Sequence, residues 1–437
     1  MSRNDDREIA VFWMRRDLRL HDSAAFHHAL KSGLPVLPLF IFDWNILHKL
    51  EDREDARVQF LHKELREIKK SLRNAGSDIE IRYGKPENVW KEITDTYRVK
   101  AIYTNNDYEP YARERDAKTA ETAAEKGIAF HSFKDHVIFE KDEILKDDGD
   151  PYVVYSPYSR KWLKAFSEKD TAPFACEKYF SNLLKTETAD PPSLEEMGFS
   201  SFDFTYPSRE IDTEIVKNYA DMRDLPGKKG TSRLSMHLRF GTVSIREVTA
   251  VAVKHSDSWL NELIWRNFYQ VILWHFPESA TQAFKPKYDN IPWRNDTAEF
   301  EAWCEGRTGY PMVDAGMREL NETGFMHNRV RMVTASFLTK HLLIDWRWGE
   351  GYFAKKLLDF ELASNNGGWQ WAAGSGCDAA PYFRVFNPES QMKKFDPDKK
   401  YIRKWVPEFQ DSEYPDPIVP HKESRERAIS VYKSALS

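Results

Sequence analysis

LLDFELASNNGGWQWAAGSGCDAAPY, residues 357–382, is the stretch around which the rest of the chain is read. It carries two carboxylates two apart (Asp359, Glu361), a paired amide (Asn365, Asn366), a paired glycine (Gly367, Gly368) and two indoles two apart (Trp369, Trp371). An ordinary amphipathic helix does not need that mixture. Asparagine competes for backbone hydrogen bonds, and glycine lets backbone come close to something. Carboxylates and amides set acceptors and donors in a fixed pattern. Indoles beside Ala, Gly and Ser suit flat surfaces around a planar guest. A helix end followed by an irregular packed loop is the bland alternative, and the stretch alone leaves both open.

The rest of the chain narrows the choice. Its 437 residues suggest two or more domains with room for a large core. A net charge of −5 means that the whole surface does not advertise nucleic-acid binding. A local basic patch is enough, since only the contacting face neutralises phosphates. Cys176, Cys304 and Cys377 are odd in number and far apart, which excludes a disulfide framework and Cys/His metal spacing. No metal site is expected. The start, MSRNDDREIA, is polar rather than a signal peptide, and the longest apolar runs are strand-sized. A reducing cytosol is the expected compartment.

Short apolar runs at 9–14, 36–42, 79–83, 101–104 and 129–133 alternate with helical patterns. The clearest helix spans 54–75, with Val58, Leu61, Leu65, Ile68 and Leu72 on one stripe and Gly76 as its stop. Such alternation predicts a doubly wound parallel α/β domain, Rossmann-like, over 1–133. No G-x-G-x-x-G or G-x-x-x-x-G-K-[ST] accompanies it. The first strand runs instead into RRDLRLHD (Arg15 to Asp22), read as a salt-bridged loop. Residues 134–205, with Pro151, Pro157, Pro173, Pro191 and Pro192, read as a long connector with short helices around 156–167. Residues 206–437 read as an all-α domain.

In that helical half, GTSRLS (Gly230 to Ser235) precedes a helix. Thr231 or Ser232 can cap it, or its hydroxyls and free N–H groups can hold a phosphate. On the helix 259–274, Glu262, Trp265, Arg266 and Tyr269 fall on one face, an unusual surface that favours binding over solvation. In FMHNRVRMVTASFL, Asn328, Arg331 and Met332 share a face, and Asp359 can pair with an arginine such as Arg331. Lys285, Lys287 and Arg294, then Lys393, Lys394, Lys399, Lys400, Arg403 and Lys404, are interleaved with Tyr288, Trp293, Phe395, Tyr401 and Trp405. This suits either a phosphate backbone beside an exposed base or a solvated face.

Together these motifs resemble the DNA photolyase/cryptochrome family along nearly the whole length. The match runs in order through RRDLRLHD, GTSRLS, NELIWRNFY (Asn261 to Tyr269), GYPMVDAGMREL (Gly309 to Leu320), TGFMHNRVRM (Thr323 to Met332) and the opening stretch through FRVFNP (Phe383 to Pro388). Within the family the chain looks most like bacterial class I cyclobutane pyrimidine dimer photolyases. The resemblance implies an α/β antenna domain and a helical domain binding folded FAD, reduced and anionic when active. Tyr219, Thr231, Ser232, Arg233, Leu234 and Ser235 would surround the phosphates. Trp259, Arg266, Asn328, Arg331, Asp359, Glu361 and Asn365 would complete the FAD site, with Asn365 facing flavin N5. UV-damaged DNA would meet Glu262, Trp265, Asn328, Arg329, Met332 and Trp371. Trp369, Trp346 and Trp293 would carry an electron inward from the surface. The implied reaction is light-driven splitting of the dimer by an electron from the excited flavin, after the lesion is flipped out of the duplex. A monomer without an obligate protein partner is expected.

The departures are specific. Glu361 stands where relatives usually have Asp, and Asn267 replaces a common acidic residue. In YEPYARERD (Tyr108 to Asp116), Tyr111 and Ala112 stand where folate-binding relatives have polar ligands. The resemblance therefore leaves a second, antenna pigment open: deazaflavin, flavin or an empty site, with a folate disfavoured. The rival reading is a cryptochrome-type blue-light photoreceptor without repair. The intact dimer-contact set argues against it. The run Met326-His327-Asn328, followed by Met332, argues against a (6-4) photolyase, which relies on a histidine pair.

Overall fold

A computed structural model describes residues 7–437. Five strands form one parallel sheet: β1 Glu8–Met14, β2 Val36–Asp43, β3 Glu80–Gly84, β4 Arg98–Asn105 and β5 Ala129–Phe133. Their spatial order is β3-β2-β1-β4-β5, so the winding reverses beside β1, as a doubly wound sheet requires. Every residue of β1 from Ile9 to Met14 is buried. Cover on both faces is why that strand reads as a continuous apolar run and not as an alternation. Trp13, Leu39 and Val11 pack with Val89, Trp90 and Ile93 of the helix Pro86–Thr96 on one face. Phe12 stacks on Phe26 of the helix Ala24–Leu30 on the other.

The long helix of this unit runs Ala56–Asn74, opened by Asp55, whose Oδ1 accepts the Arg57 N–H, and followed by Gly76 at φ 76°. Val58, Leu65, Ile68 and Leu72 are buried as the stripe predicts. Glu64 and Lys69 are buried too, because Arg209 and Asp78 pair with them.

The chain divides into two compact units that interleave in sequence. One takes residues up to Glu140, Phe166–Glu210 and Arg233–Val251; the other takes Lys141–Ala165, Ile211–Ser232 and Ala252–Ser437. The stretch 134–205 is thus shared between the two units and is not a separate connector. The linear division expected at 133 and 206 is replaced by this interleaving. A composition rich in proline reports loops, not which body a loop packs on.

The second unit contains helices and no strand among its described residues. Those used below are α1 Tyr155–Ala165, α2 Asp257–His275, α3 Thr297–Cys304, α4 Pro311–Thr323, α5 Asn328–Ser336, α6 Trp346–Lys356, α7 Leu362–Ala373, α8 Pro388–Phe395 and α9 Lys400–Trp405. Proline opens α4 and α8 at the first position, where no N–H is needed. One core joins α3 to α9 through Trp303, Val313, Val330, Phe353, Trp369 and Ile402. Gly349 of α6 lets the Trp369 ring lie against the backbone; a Cβ there would collide with the indole. No described helix is long and apolar enough to cross a membrane.

Candidate functional site

The opening stretch folds as a turn at 357–361 followed by α7, so the amides and indoles are helical. Glu361 is the residue before α7, and its Oε1 meets Arg266 Nη2 of α2 at 2.8 Å. Ser364 Oγ donates to its other oxygen at 3.1 Å. Two residues earlier, Asp359 accepts Arg331 Nη2 through both oxygens, at 2.8 and 3.1 Å. The pairing expected from sequence forms, and it is a charge-assisted pair that fixes α5 against the turn.

Asn365 is the most informative side chain. Its Nδ2 donates to Glu350 Oε1 at 2.8 Å and to Glu350 O at 3.1 Å. Both amide hydrogens are thus used within the protein, and Oδ1 is left as an acceptor. Burial pushes the Glu350 carboxyl up, and the Asn365 bond draws it part of the way back.

The face predicted on α2 exists, but its members turn to different partners. Glu262 pairs with Arg223 Nη1 at 2.6 Å. Burial pushes the Glu262 carboxyl up, against the pull of Arg223. Trp265 is stacked by Tyr155 of α1, with ring centres 3.6 Å apart and planes 5° from parallel. Tyr155 is anchored in turn: its hydroxyl donates to Asn261 Oδ1 at 2.6 Å and its N–H to Asp378 at 3.0 Å. Tyr269 packs on Gly367, where a Cβ would collide with the phenol ring. Asn267 is buried and its Oδ1 accepts Trp162 Nε1–H at 3.0 Å.

Other predicted residues divide as follows. Trp259 is buried near the start of α2, its N–H capped by Ser256. Asn328 opens α5 and is exposed, while Met332 is half-buried one turn on. Arg329 is committed to Asp224 at 2.8 Å and lies over the Phe395 ring. Trp371 is half-buried beside Phe386 and Arg384. Trp369 and Trp346 are buried and Trp293 is half-buried. Tyr219 lies under the Arg223 guanidinium. Thr231 and Ser232 are half-buried, and their hydroxyls have no hydrogen-bond partner among the described residues. Neither caps a helix. The helix that follows runs Ser235–Phe240 with Leu234 before it, and Arg233 sits at φ 55°. Arg233, Leu234 and Ser235 belong to the other unit, which is described by itself.

Sequence reasoning missed Arg223, Tyr155, Glu350 and Trp303. Tyr155 and Arg223 lie in stretches without long periodicity, and no spacing ties them to α2. In the basic set, Arg294 is paired with Glu299 at 2.7 Å, whereas Lys393, Lys394, Arg403 and Lys404 lie near the ends of α8 and α9.

In the α/β unit, RRDLRLHD is a salt-bridged loop as read. Arg16 meets Asp107 and Glu109, Arg19 meets Asp135, and Asp22 meets Arg246. Asp135 is buried; burial alone would raise its carboxyl, but Arg19 and Arg246 hold it well below the usual range. Beside this loop network, Trp90, Tyr111, Arg115, Lys118 and Lys126 line a groove of about 460 Å³. That is the size of a small-molecule pocket. Two of these residues, Tyr111 and Arg115, come from YEPYARERD. No group of three or more His, Cys, Asp or Glu among the described residues could hold a metal.

The donor set suits a dinucleotide with a flat redox ring. The hydroxyls of Thr231 and Ser232 are unclaimed, the arginine–carboxylate pairs are fixed, and an amide carbonyl stands open. A helical unit with this set is suited to hold a flavin nucleotide. Residues 259–413 match the family model "FAD binding domain of DNA photolyase", and residues 10–177 match "DNA photolyase". The chain belongs to the DNA photolyase family, and its cofactor is FAD. It is 36% identical to the deoxyribodipyrimidine photo-lyase of Halobacterium salinarum, over 98% of this chain and 99% of that protein. Among solved structures it is similar to a bacterial class III photolyase from Agrobacterium tumefaciens, with 31% identity, 98% of each chain covered and a TM-score of 0.84. An archaeal photolyase from Sulfolobus tokodaii, described with two FAD molecules, matches at 33% identity and TM-score 0.81, covering 98% of this chain and 100% of that one.

Proposed function

We propose that this chain is a light-dependent DNA repair lyase that splits cyclobutane pyrimidine dimers. When bound and reduced, FAD supplies on absorbing blue light the electron that opens the cyclobutane ring. The observation that carries the reading is Asn365, held by Glu350 with its carbonyl open, in a helical unit whose relatives are named deoxyribodipyrimidine photo-lyase. Asn365 would offer the bound flavin a fixed acceptor, which would favour a ring nitrogen that carries a proton. Arg331–Asp359 and Arg266–Glu361 hold the walls on either side. Thr231 and Ser232 would supply hydroxyls to phosphate, with Tyr219 of the same unit beside them.

The damaged bases are assigned to Glu262, Trp265, Asn328, Met332 and Trp371, with Arg329 at the edge. To donate a hydrogen bond to a pyrimidine carbonyl, Glu262 must carry its proton. Burial favours that form. Tyr155 covers one face of Trp265 and so fixes which face remains for a base. Trp369, Trp346 and Trp293 pass electrons inward when the cofactor has been oxidised. The photoreceptor alternative is not favoured, because the full-length relatives are named for lyase activity. A second pigment would fit the groove at Trp90 and Tyr111 by size.

Reduced protein incubated with DNA carrying a single thymine dimer tests the reading. Thymines restored in blue light and not in darkness are the expected result. Bound, photoreducible FAD without repair would overturn it in favour of the photoreceptor.

A further inference from the structure

Tyr155 is tied to both of the α2 side chains Glu262 and Trp265. Its ring lies flat on Trp265, with centres 3.6 Å apart. Phe268 and Tyr269 meet the same indole at 5.7 and 5.5 Å, so its neighbours hold it on three sides. The Tyr155 hydroxyl donates to Asn261 Oδ1 at 2.6 Å and lies 2.9 Å from Asn261 O. With its oxygen engaged in this way, the Asn261 amide turns its N–H groups away from Tyr155, and it hydrogen-bonds the Glu262 carboxyl. One hydroxyl therefore fixes the amide that faces Glu262. The tyrosine is itself held at the first residue of α1, where its N–H donates to Asp378 at 3.0 Å.

We propose that Tyr155 and Asn261 are positioning residues for lesion recognition, acting as one unit that fixes the Trp265 ring and reserves the Glu262 proton for the lesion. The inference rests on Glu262 and Trp265 meeting the damaged bases, as proposed above. Arg223 Nη1 and the Asn261 amide both donate to the Glu262 carboxyl. Asp224 and the phenols of Tyr155, Tyr219 and Tyr269 are the other titratable groups that interact with it. Neither hydrogen-bonding partner is turned to accept. When Glu262 carries its proton, the acceptor left for that proton is a pyrimidine carbonyl.

Without the hydroxyl, the Asn261 amide is free to rotate and present its oxygen to Glu262. A carbonyl oxygen there accepts the Glu262 O–H, which stabilises the protonated acid but uses its hydrogen inside the protein. Loss of the hydroxyl thus has a two-part signature. Glu262 keeps its proton to higher pH, and its hydrogen bond to the lesion weakens. The Tyr155 ring has a separate effect. It covers one face of the Trp265 indole and keeps the other turned to a base, where stacking contributes about tenfold or more in affinity.

The test uses the full-length protein with reduced FAD bound and DNA carrying a single thymine dimer. Repair per absorbed photon is measured against pH. In Tyr155→Phe, which keeps the ring, the pH at which repair falls to half its maximum should rise by about one unit, and the maximum itself should drop. In Glu262→Gln/Tyr155→Phe no such shift relative to Glu262→Gln should remain. Tyr155→Leu, which removes the ring as well, should bind the dimer-containing DNA about tenfold more weakly than Tyr155→Phe does. Flavin absorbance and Tm check that each variant folds, and Tyr155→Phe, the milder change, decides the question if Tyr155→Leu does not. An unshifted profile in Tyr155→Phe, whatever its Tm, overturns the proposal, as does a shift that survives in the double variant. Equal affinities of Tyr155→Leu and Tyr155→Phe overturn the part given to the ring. Wild-type and Glu262→Gln profiles that coincide at every pH would instead overturn the assignment of Glu262 to the lesion.

Discussion

At the scale of single residues, the site works by committing each polar group to a partner until the useful one is left over. Asn365 gives both amide hydrogens to Glu350. Glu350→Gln keeps the shape but can present its own N–H to Asn365, freeing the amide to turn. The expected outcome is retained FAD with a shifted flavin reduction potential, measured by spectroelectrochemistry; an unchanged potential would remove Glu350 from this role. Glu262 is held between burial, which favours the protonated form, and Arg223, which favours the charged one. Glu262→Ala should lower the repair yield while FAD stays bound, and Glu262→Gln, which keeps an N–H donor, should recover part of it. The sign of the pH dependence follows. A raised carboxyl keeps its proton below its pKa and loses it above, so wild-type yield should fall as pH rises through that pKa, and the Glu262→Gln profile should be flat there.

At the scale of elements, close approach of helices decides what the side chains can do. Gly349 is where α6 accepts the Trp369 ring of α7. Gly349→Ala forces the two apart and should cost about 1–3 kcal/mol. A lower Tm and weaker flavin retention, read together, would show it; wild-type values for both would mean the helices had room to spare. In the α/β unit, Asp135 holds two arginines beside the end of β5. Its folded-state pKa is depressed, so its contribution is fully present above the ordinary carboxylate value and is lost as pH falls below that value towards the depressed one. Asp135→Asn leaves buried guanidiniums short of a charge and should cost about 3 kcal/mol near neutral pH. The penalty should shrink in acid, which thermal melts at two pH values would resolve. The helices and strands themselves were legible from period and apolar runs. Which helices meet was not, because nothing in a helical repeat says which stripe another stripe will find.

At the scale of the whole molecule, a chain of net charge −5 must bind a polyanion through a local face. Lys393 and Lys394 end α8, where Lys394 and Arg329 lie against the Phe395 ring, and Arg403 and Lys404 end α9. Affinity for dimer-containing DNA should fall steeply with salt. Lys394→Glu/Lys404→Glu should reduce the slope of log K against log salt by about 0.9 for each phosphate that is no longer neutralised. A slope equal to that of the unmodified protein would place the DNA elsewhere. The interleaved division of the chain belongs to this scale too. Tyr155 lies in a proline-bearing stretch that reads as a linker, yet it stacks on Trp265, far along the chain.

The sequence by itself determined the strands, whose burial on two faces leaves unbroken apolar runs, and the helices, whose buried stripes repeat with the turn. It also determined the chemistry available at Leu357–Trp371, since residue types and short spacings are local facts. Arg331 with Asp359 was within reach of such reasoning because a carboxylate side chain taken out of water needs a cation. Only the tertiary structure decided that Glu350 turns Asn365, that Arg223 meets Glu262, that Tyr155 covers Trp265 and that Trp303 touches Trp369. Each of those pairings joins residues from separate elements. No periodicity links them, and packing alone fixes which side chains come within hydrogen-bond or ring-stacking distance.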